Sequence, residues 1–442
     1  MKKQKLIILD VVGLSPALIE KADNIPNIKK LISEGTYRKM TPTFPSVTSS
    51  VQASMISGKP PSDHGIIANG YFDKLTFKPE FWRQENGLVR GPRIWDWMRE
   101  KDPDSKVAVM FWQNSKYIDA DIVISPSPMH TDEGMIEWCY SKPVGLYESL
   151  VKDIGEFHLH DYWGPMAGRV GSRGTDWIVN ASEKVLLEQD PDMMLVYLPH
   201  LDYVSQREHP QSEAVLNELP ILDKAIGKFM DMRDEYGKED MTLMIVSEYG
   251  LTPVTKAVSP NKILRDKGYL KVREIQGKEY IDYELSDAFC LVDHQIANVY
   301  CKKNVINEVK TLFNNSKGIS EVLDKNEQTK YEVQHERTGD LVLLADIDKW
   351  FSYFYWLEDD KMPFFAERVD IHNKPGYDPC ELFADPKTRK IIPNTTLIKG
   401  SHGLPASTDE QMAVFICTED LGSYAPEKFN AELVMAMLYR LT

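Results

Sequence analysis

Four polar residues end apolar runs or sit in the loops beside them. Asp10 closes LIILD, Asp202 follows MMLVYLPH, Glu248 follows LMIVS, and His402 stands in the glycine-flanked GSHG ahead of the apolar run 412–417. In doubly wound sheets, ligands collect beyond the carboxyl ends of the strands. Three carboxylates and an imidazole delivered there from distant parts of a chain suit a hard or borderline divalent cation. Each alone could cap a helix or a turn; the four together point to a metal site.

A candidate nucleophile lies in the stretch 41–70, TPTFPSVTSSVQASMISGKPPSDHGIIANG. Pro45 favours the first turn of a helix running to residue 56, which places Thr43 just ahead of its N-terminus. Free amide hydrogens and the positive end of the helix dipole favour an anion there, whether a phosphate oxygen or an alkoxide. A threonine hydroxyl is a weak nucleophile near neutrality and needs a metal or a base to activate it. The competing role for such a threonine is a plain N-cap.

The elements that must position these residues follow from hydrophobic period. Short apolar runs at 6–12, 107–112, 193–198, 243–246, 341–345 and 412–417 suit strands buried on both faces. Amphipathic stretches at 25–33, 47–56, 93–100, 177–187 and 213–233 suit helices between them. This predicts an α/β fold with a mostly parallel central sheet and helices on both faces. Residues 266–346 change character and predict a small α+β insertion or cap within a core formed by 1–265 and 347–442. The aromatic run 350–356 is expected to pack in a core or interface, with a stacking pocket as the alternative. No internal repeat is present.

At 442 residues the chain has length for two or three domains or one large α/β body. The 42% hydrophobic content is globular, and 52 basic against 67 acidic residues give a formal net charge of −15. That charge repels nucleic acid polymers and acidic membranes, although a bound cation can invert the potential of one pocket. Five cysteines without a CxxC spacing suggest a reduced, cytoplasmic chain. The apolar run after MKKQK is broken by Asp10 before it reaches signal-peptide length, and no stretch approaches a membrane span.

The ordered set Asp10, TFP at 43–45, HGIIAN at 64–69, PHLD at 199–202, SEYG at 247–250 and GSHG at 400–403 resembles the alkaline phosphatase superfamily, in its type I phosphodiesterase and nucleotide pyrophosphatase branch. In that branch the first aspartate, the TFP threonine and an Asp-His pair bind one zinc. A second aspartate, a histidine four residues later and a late histidine bind another. The resemblance carries these roles to Asp10, Thr43, Asp202 and His402, and gives Asn69 the donor role to a phosphate oxygen. Three ligands differ: Gln206 replaces the histidine, and Glu248 with Tyr249 replaces the Asp-His pair. Losing two imidazoles moves the preference from zinc towards magnesium or manganese, so one or two ions of zinc, manganese or magnesium are expected. His200, His209 and His372 are candidate replacement nitrogens. A sulfatase is disfavoured, because Thr43 stands where that neighbour needs a modifiable cysteine.

The resemblance implies hydrolysis of a phosphorylated small molecule through a phosphothreonine, with phosphonate hydrolysis or phosphomutase-like transfer as alternatives on the same scaffold. A non-catalytic binder of such a molecule is the rival class. Oligomeric state is not expressed in the sequence.

Overall fold

The six apolar runs do form strands, and five of them join a nine-stranded central sheet, while 341–345 joins a second sheet. The computed structural model describes residues 4–131, 134–163 and 173–442. In chain order the strands used below are β1 (Lys5–Val11), β2 (Thr36–Thr41), β3 (Val107–Met110), β4 (Ile122–Pro126), β5 (Cys139–Lys142), β6 (Met193–Leu198) and β7 (Met241–Val246). They continue with β8 (Ala288–Asp293), β9 (Ile296–Cys301), β10 (Ile319–Leu323), β11 (Leu341–Ala345), β12 (Ala413–Cys417) and β13 (Phe429–Asn430). The central order is β13-β2-β12-β7-β1-β6-β3-β4-β5. Its middle, β7-β1-β6-β3-β4, is parallel throughout, while β12 and β5 join antiparallel.

Alternation along β1 explains the two-sided core. Ile7, Leu9 and Val11 face one apolar cluster with Leu222, Ile226 and Phe229 of the long helix Glu213–Tyr236. Leu6 and Ile8 face the other cluster, with Val51 and Met55 of helix α1 (Thr48–Ser57) and Leu438 near the C-terminus. A strand buried on both sides reads as an unbroken apolar run, which is why LIIL is visible as a strand in the sequence. Asp10 is then the polar group that β1 carries at its carboxyl end.

Strands β8 to β11 form a separate antiparallel sheet in the order β8-β9-β11-β10, with the helix Ile306–Asn314 against it. The cluster beneath it also takes Phe72, Phe81, Phe351, Tyr353 and Trp356. The aromatic run therefore packs as core, and none of its members borders the cavity described below.

His64, in the turn after α1, is wholly buried: its Nε2 lies 3.0 Å from Ser54 Oγ, and its Nδ1 accepts the Ile66 amide at 3.1 Å. Burial, helped by the charges of His335 and Arg337, pushes its pKa down to about 3. The unfolded chain protonates this imidazole near 6.5, so between the two values the unfolded state binds more protons and stability falls as the pH falls. From pH 7 to pH 4 this amounts to on the order of 3 kcal/mol. Urea unfolding at pH 7, 5.5 and 4 should show His64→Asn losing that part of the slope; a variant as acid-sensitive as the parent would refute the assignment.

Candidate active site

The carboxyl ends of β1, β6 and β7 bring Asp10, Asp202 and Glu248 together, and all three are buried. Asp202 sits in the first turn of helix α2 (His200–Arg207), directly after β6. Gln52, from the middle of α1, ties the first and third: its Nε2 donates to Asp10 Oδ2 at 3.0 Å and to Glu248 Oε1 at 2.7 Å. The Gln113 backbone amide donates to Gln52 Oε1 at 2.7 Å, which fixes which end of the side-chain amide faces the carboxylates. Gln206 does the same at the other end. Its Nε2 donates to Asp202 Oδ2 at 2.9 Å while its Oε1 accepts the Tyr377 hydroxyl at 2.8 Å.

His402 Nε2 lies 3.9 Å from Asp202 Oδ1, and the ring stacks on Tyr249 at 3.6 Å between centroids. Its Nδ1 is 2.7 Å from the Ser46 carbonyl, an acceptor only, so Nδ1 carries the hydrogen and Nε2 the lone pair. Gly403 adopts φ +121, and a Cβ there would come within 3.3 Å of the Gln295 amide nitrogen; the GSHG glycine thus permits the close approach of the β8–β9 hairpin.

Electrostatics sets the demand on this site. Burial, then repulsion from Glu248, raises Asp10 well above the usual carboxylate range and brings Asp202 up to about 7. Burial likewise lifts Glu248 to about 7, and burial beside His294 keeps His402 neutral. Among the described residues no lysine or arginine pairs with Asp10, Asp202 or Glu248. Such a cluster needs either protons or a cation.

The donors fit a divalent ion. Asp10 Oδ1, Glu248 Oε2 and His402 Nε2 are buried acceptors with no hydrogen-bond partner, whereas the opposite oxygen of each carboxylate is held by Gln52. Donors such as Gln52, which fix one oxygen of a carboxylate and leave the other free, are the usual companions of bound metal. Among the described residues no three His, Cys, Asp or Glu side chains already converge on one point; the acceptors are divided between an Asp10–Glu248 end and an Asp202–His402 end. Gln52→Leu should therefore weaken metal uptake by about 10- to 100-fold. Zinc and manganese titrations of the stripped protein would check this, and unchanged affinity would remove Gln52 from the site.

The segment around Thr43 is built differently from the expected helix start. Pro45 does not open the helix: residues 43–47 run as a loop, bound to GSHG through the Ser46 amide and the Gly403 carbonyl, and α1 starts at Thr48 with Val47 as its N-cap. Thr43 consequently points away and donates to Glu432 Oε1 at 2.7 Å. Thr48 instead reaches the cluster, its Oγ1 lying 3.0 Å from the Tyr249 hydroxyl, which is 3.5 Å from Asp202 Oδ1. Asn69 borders the same helix start: its Oδ1 accepts the Ser49 amide at 3.0 Å and its Nδ2 donates to Asp293 Oδ1 at 3.1 Å.

The three replacement histidines do not join the cluster. Both nitrogens of His200 are engaged, Nδ1 with Thr175 and Nε2 with Glu218. His209 is exposed, and its Nδ1 accepts from Gln211. His372 is exposed at the rim of the cavity, with Nδ1 against the Phe81 carbonyl. Gln206 and Tyr249 are present, but Gln206 has both amide ends occupied. The imidazole missed in the sequence is His294, at the tip between β8 and β9; no spacing rule signals it.

A cavity of about 280 Å³ opens from Thr48, Asp202 and Tyr249 towards Trp82, Phe111 and Lys116. Its lining combines the carboxylate of Asp202 with the aromatic rings of Trp82 and Tyr203 and the cations of Arg83 and Lys116, which suits a phosphorylated molecule with a flat portion.

The family model for type I phosphodiesterase / nucleotide pyrophosphatase matches residues 6–378. The chain belongs to that family. Ectonucleotide pyrophosphatase/phosphodiesterase family member 7 of Mus musculus is 20% identical over 262 residues, covering 58% of this chain and 52% of that protein. Ectonucleotide pyrophosphatase/phosphodiesterase 2 of Saccharomyces cerevisiae is 22% identical over 268 residues, covering 57% and 48%. The chain thus spans about half the length of these curated relatives. Among solved structures, phosphonoacetate hydrolase from Sinorhizobium meliloti in complex with phosphonoformate superposes with a TM-score of 0.64 at 17% identity, covering 100% of this chain and 96% of that one. Murine ectonucleotide pyrophosphatase / phosphodiesterase 5, an inactive threonine-to-alanine form in complex with AMP, gives 0.61 at 14%, covering 99% and 94%. These likenesses agree with the alkaline phosphatase-like α/β architecture. Among the described residues, no helix is long and apolar enough to cross a membrane.

Proposed function

We propose that this chain is a metal-dependent hydrolase of phosphate esters, most simply diesters, with Thr48 as its nucleophile. One observation carries the reading: a hydroxyl at the start of a ten-residue helix sits within hydrogen-bond reach of a tyrosine that joins it to a buried carboxylate. The positive end of α1 favours both the alkoxide and the phosphoryl oxygens beside it. The Tyr249 hydroxyl offers the Thr48 proton a path to Asp202 Oδ1 as the oxygen attacks phosphorus. Asn69, anchored by Asp293, borders the place where phosphoryl oxygens would lie.

Asp10, Glu248 and Thr48 would hold a cation at one end, and Asp202 with His402 at the other; bound there, it supplies neutralising charge and lowers the pKa of the threonine hydroxyl. Three carboxylates against one imidazole keep manganese and magnesium beside zinc as ions to test. Retention of a buried, correctly placed hydroxyl argues for catalysis over mere binding. Five unpaired thiols support a reducing, cytoplasmic setting, unlike that of relatives named as ectoenzymes.

The deciding assay compares bis-p-nitrophenyl phosphate, p-nitrophenyl phosphate and a phosphonate, each with zinc, manganese and magnesium added to stripped protein. Hydrolysis of the diester at the highest rate is expected. Inert behaviour towards all three compounds with every ion would defeat the proposal.

A further inference from the structure

We infer that His294 becomes a metal ligand when a cation binds and draws it together with Asp202 and His402, supplying the second imidazole. The inference rests on the metal-dependent reading above and takes it to a residue contributed by a different part of the chain.

His294 is buried, lines the cavity, and lies against His402 with ring centroids 3.8 Å apart. Its Nδ1 is 2.7 Å from Asp293 Oδ1. As a carboxylate, Asp293 accepts that hydrogen, and it is itself held by the backbone and side-chain nitrogens of Asn69. The lone pair of His294 therefore resides on Nε2, which is buried and has no partner. His402 shows the same arrangement, with Nδ1 pinned by a carbonyl and a bare Nε2. Two neighbouring imidazoles, each with one nitrogen held by an oxygen acceptor and the other unsatisfied, have the arrangement usual for histidines that bind a metal. An unsatisfied buried nitrogen otherwise costs stability, and two side by side cost it twice.

The surroundings support the assignment. Ligands about 2.1 Å from one ion stand at most about 4.2 Å apart, and His402 Nε2 is 3.9 Å from Asp202 Oδ1. Gln206, at the family's histidine position, has both amide ends engaged and works as a brace for Asp202. His294 is built to be held where it is. Its backbone takes φ +57, a left-handed conformation that costs a non-glycine residue on the order of 1–3 kcal/mol. The next residue, Gln295, donates its amide to the His402 carbonyl at 3.0 Å, so the two imidazoles are bolted together through the main chain. Tyr377 stacks on the outer face of His294 at 4.0 Å between centroids and closes off that side.

The test is zinc titration calorimetry on the full chain after chelator stripping, with visible spectra of the cobalt(II)-loaded protein alongside. His294→Ala and His294→Gln should each weaken zinc binding at least about tenfold and alter the cobalt spectrum, while His209→Ala titrates as the parent. His294→Gln keeps most of the side-chain volume, and circular dichroism of the stripped forms separates lost folding from lost ligation. Parental affinity and spectrum in both folded His294 variants would overturn the inference, as would a parent that takes up none of zinc, cobalt or manganese. The hydrolase reading fails separately: it falls if esters are untouched although His294 governs metal affinity, and it survives if esters are cleaved while the His294 variants bind metal normally.

Discussion

Thr48→Ala will lower diester turnover by about three orders of magnitude or more, whereas Thr43→Ala will stay within about tenfold of the parent. The two threonines are only five residues apart and both are buried, so burial does not distinguish them. Their partners do. The Thr43 hydroxyl is bound to Glu432, close to the C-terminal helix, and the removal of that bond costs stability on the order of 1 kcal/mol without touching the carboxylates. The Thr48 hydroxyl faces Tyr249 and, through it, Asp202. Steady-state kinetics on bis-p-nitrophenyl phosphate, with thermal melts to confirm folding, will decide between them. A dead Thr43 variant beside an active Thr48 variant would return the nucleophile to the TFP position.

Lys374→Met is expected to destabilise the protein by about 3–5 kcal/mol. Lys374 is fully buried and its Nζ donates to Asp378 Oδ2 at 2.7 Å, Glu381 Oε1 at 2.6 Å and the Arg368 carbonyl at 2.9 Å. Burial opposes its charge, yet Asp378 and Glu381 outweigh that penalty and hold its pKa above the ordinary lysine value. Removal of the cation leaves two carboxylates facing each other in a low-dielectric pocket. The segment so released carries Tyr377, the brace of Gln206, so weakened metal binding should accompany the loss of stability. Urea denaturation gives the size of the effect; a loss below about 1 kcal/mol would show that the ion cluster holds little.

Asp10, Asp202 and Glu248 were legible because a doubly buried strand leaves an unbroken apolar run, and polar residues just beyond its carboxyl end sit at the sheet's edge; His402 was legible from its glycine-flanked loop. Thr48 was not, because the start of α1 is set by contacts between residue 46 and residues 403–404, which no local rule contains. Proline at 45 argued for an earlier helix start, and tertiary bonding overrode it. Gln52 was hidden inside a helix whose every residue is buried, so no amphipathic contrast marks it. His200 looked like a ligand beside Asp202, but Glu218 and Thr175 absorb both its nitrogens. His294 depends on a hairpin tip meeting a loop more than a hundred residues further along the chain, and such meetings leave no imprint in either segment alone.

That hairpin bears on how the molecule could be shortened. Asn69, beside the helix that presents Thr48, hangs from Asp293, and the loop bearing His402 is fastened to Gln295. Excision of residues 288–345 would therefore not yield a minimal enzyme with a wider mouth. It would free Asn69, flood the imidazole pair with water and strip the aromatic cluster around Phe72 of its opposite wall. Descendants that change substrate are thus more readily reached by varying Trp82, Arg83 and Lys116, which line the cavity, than by trimming the chain.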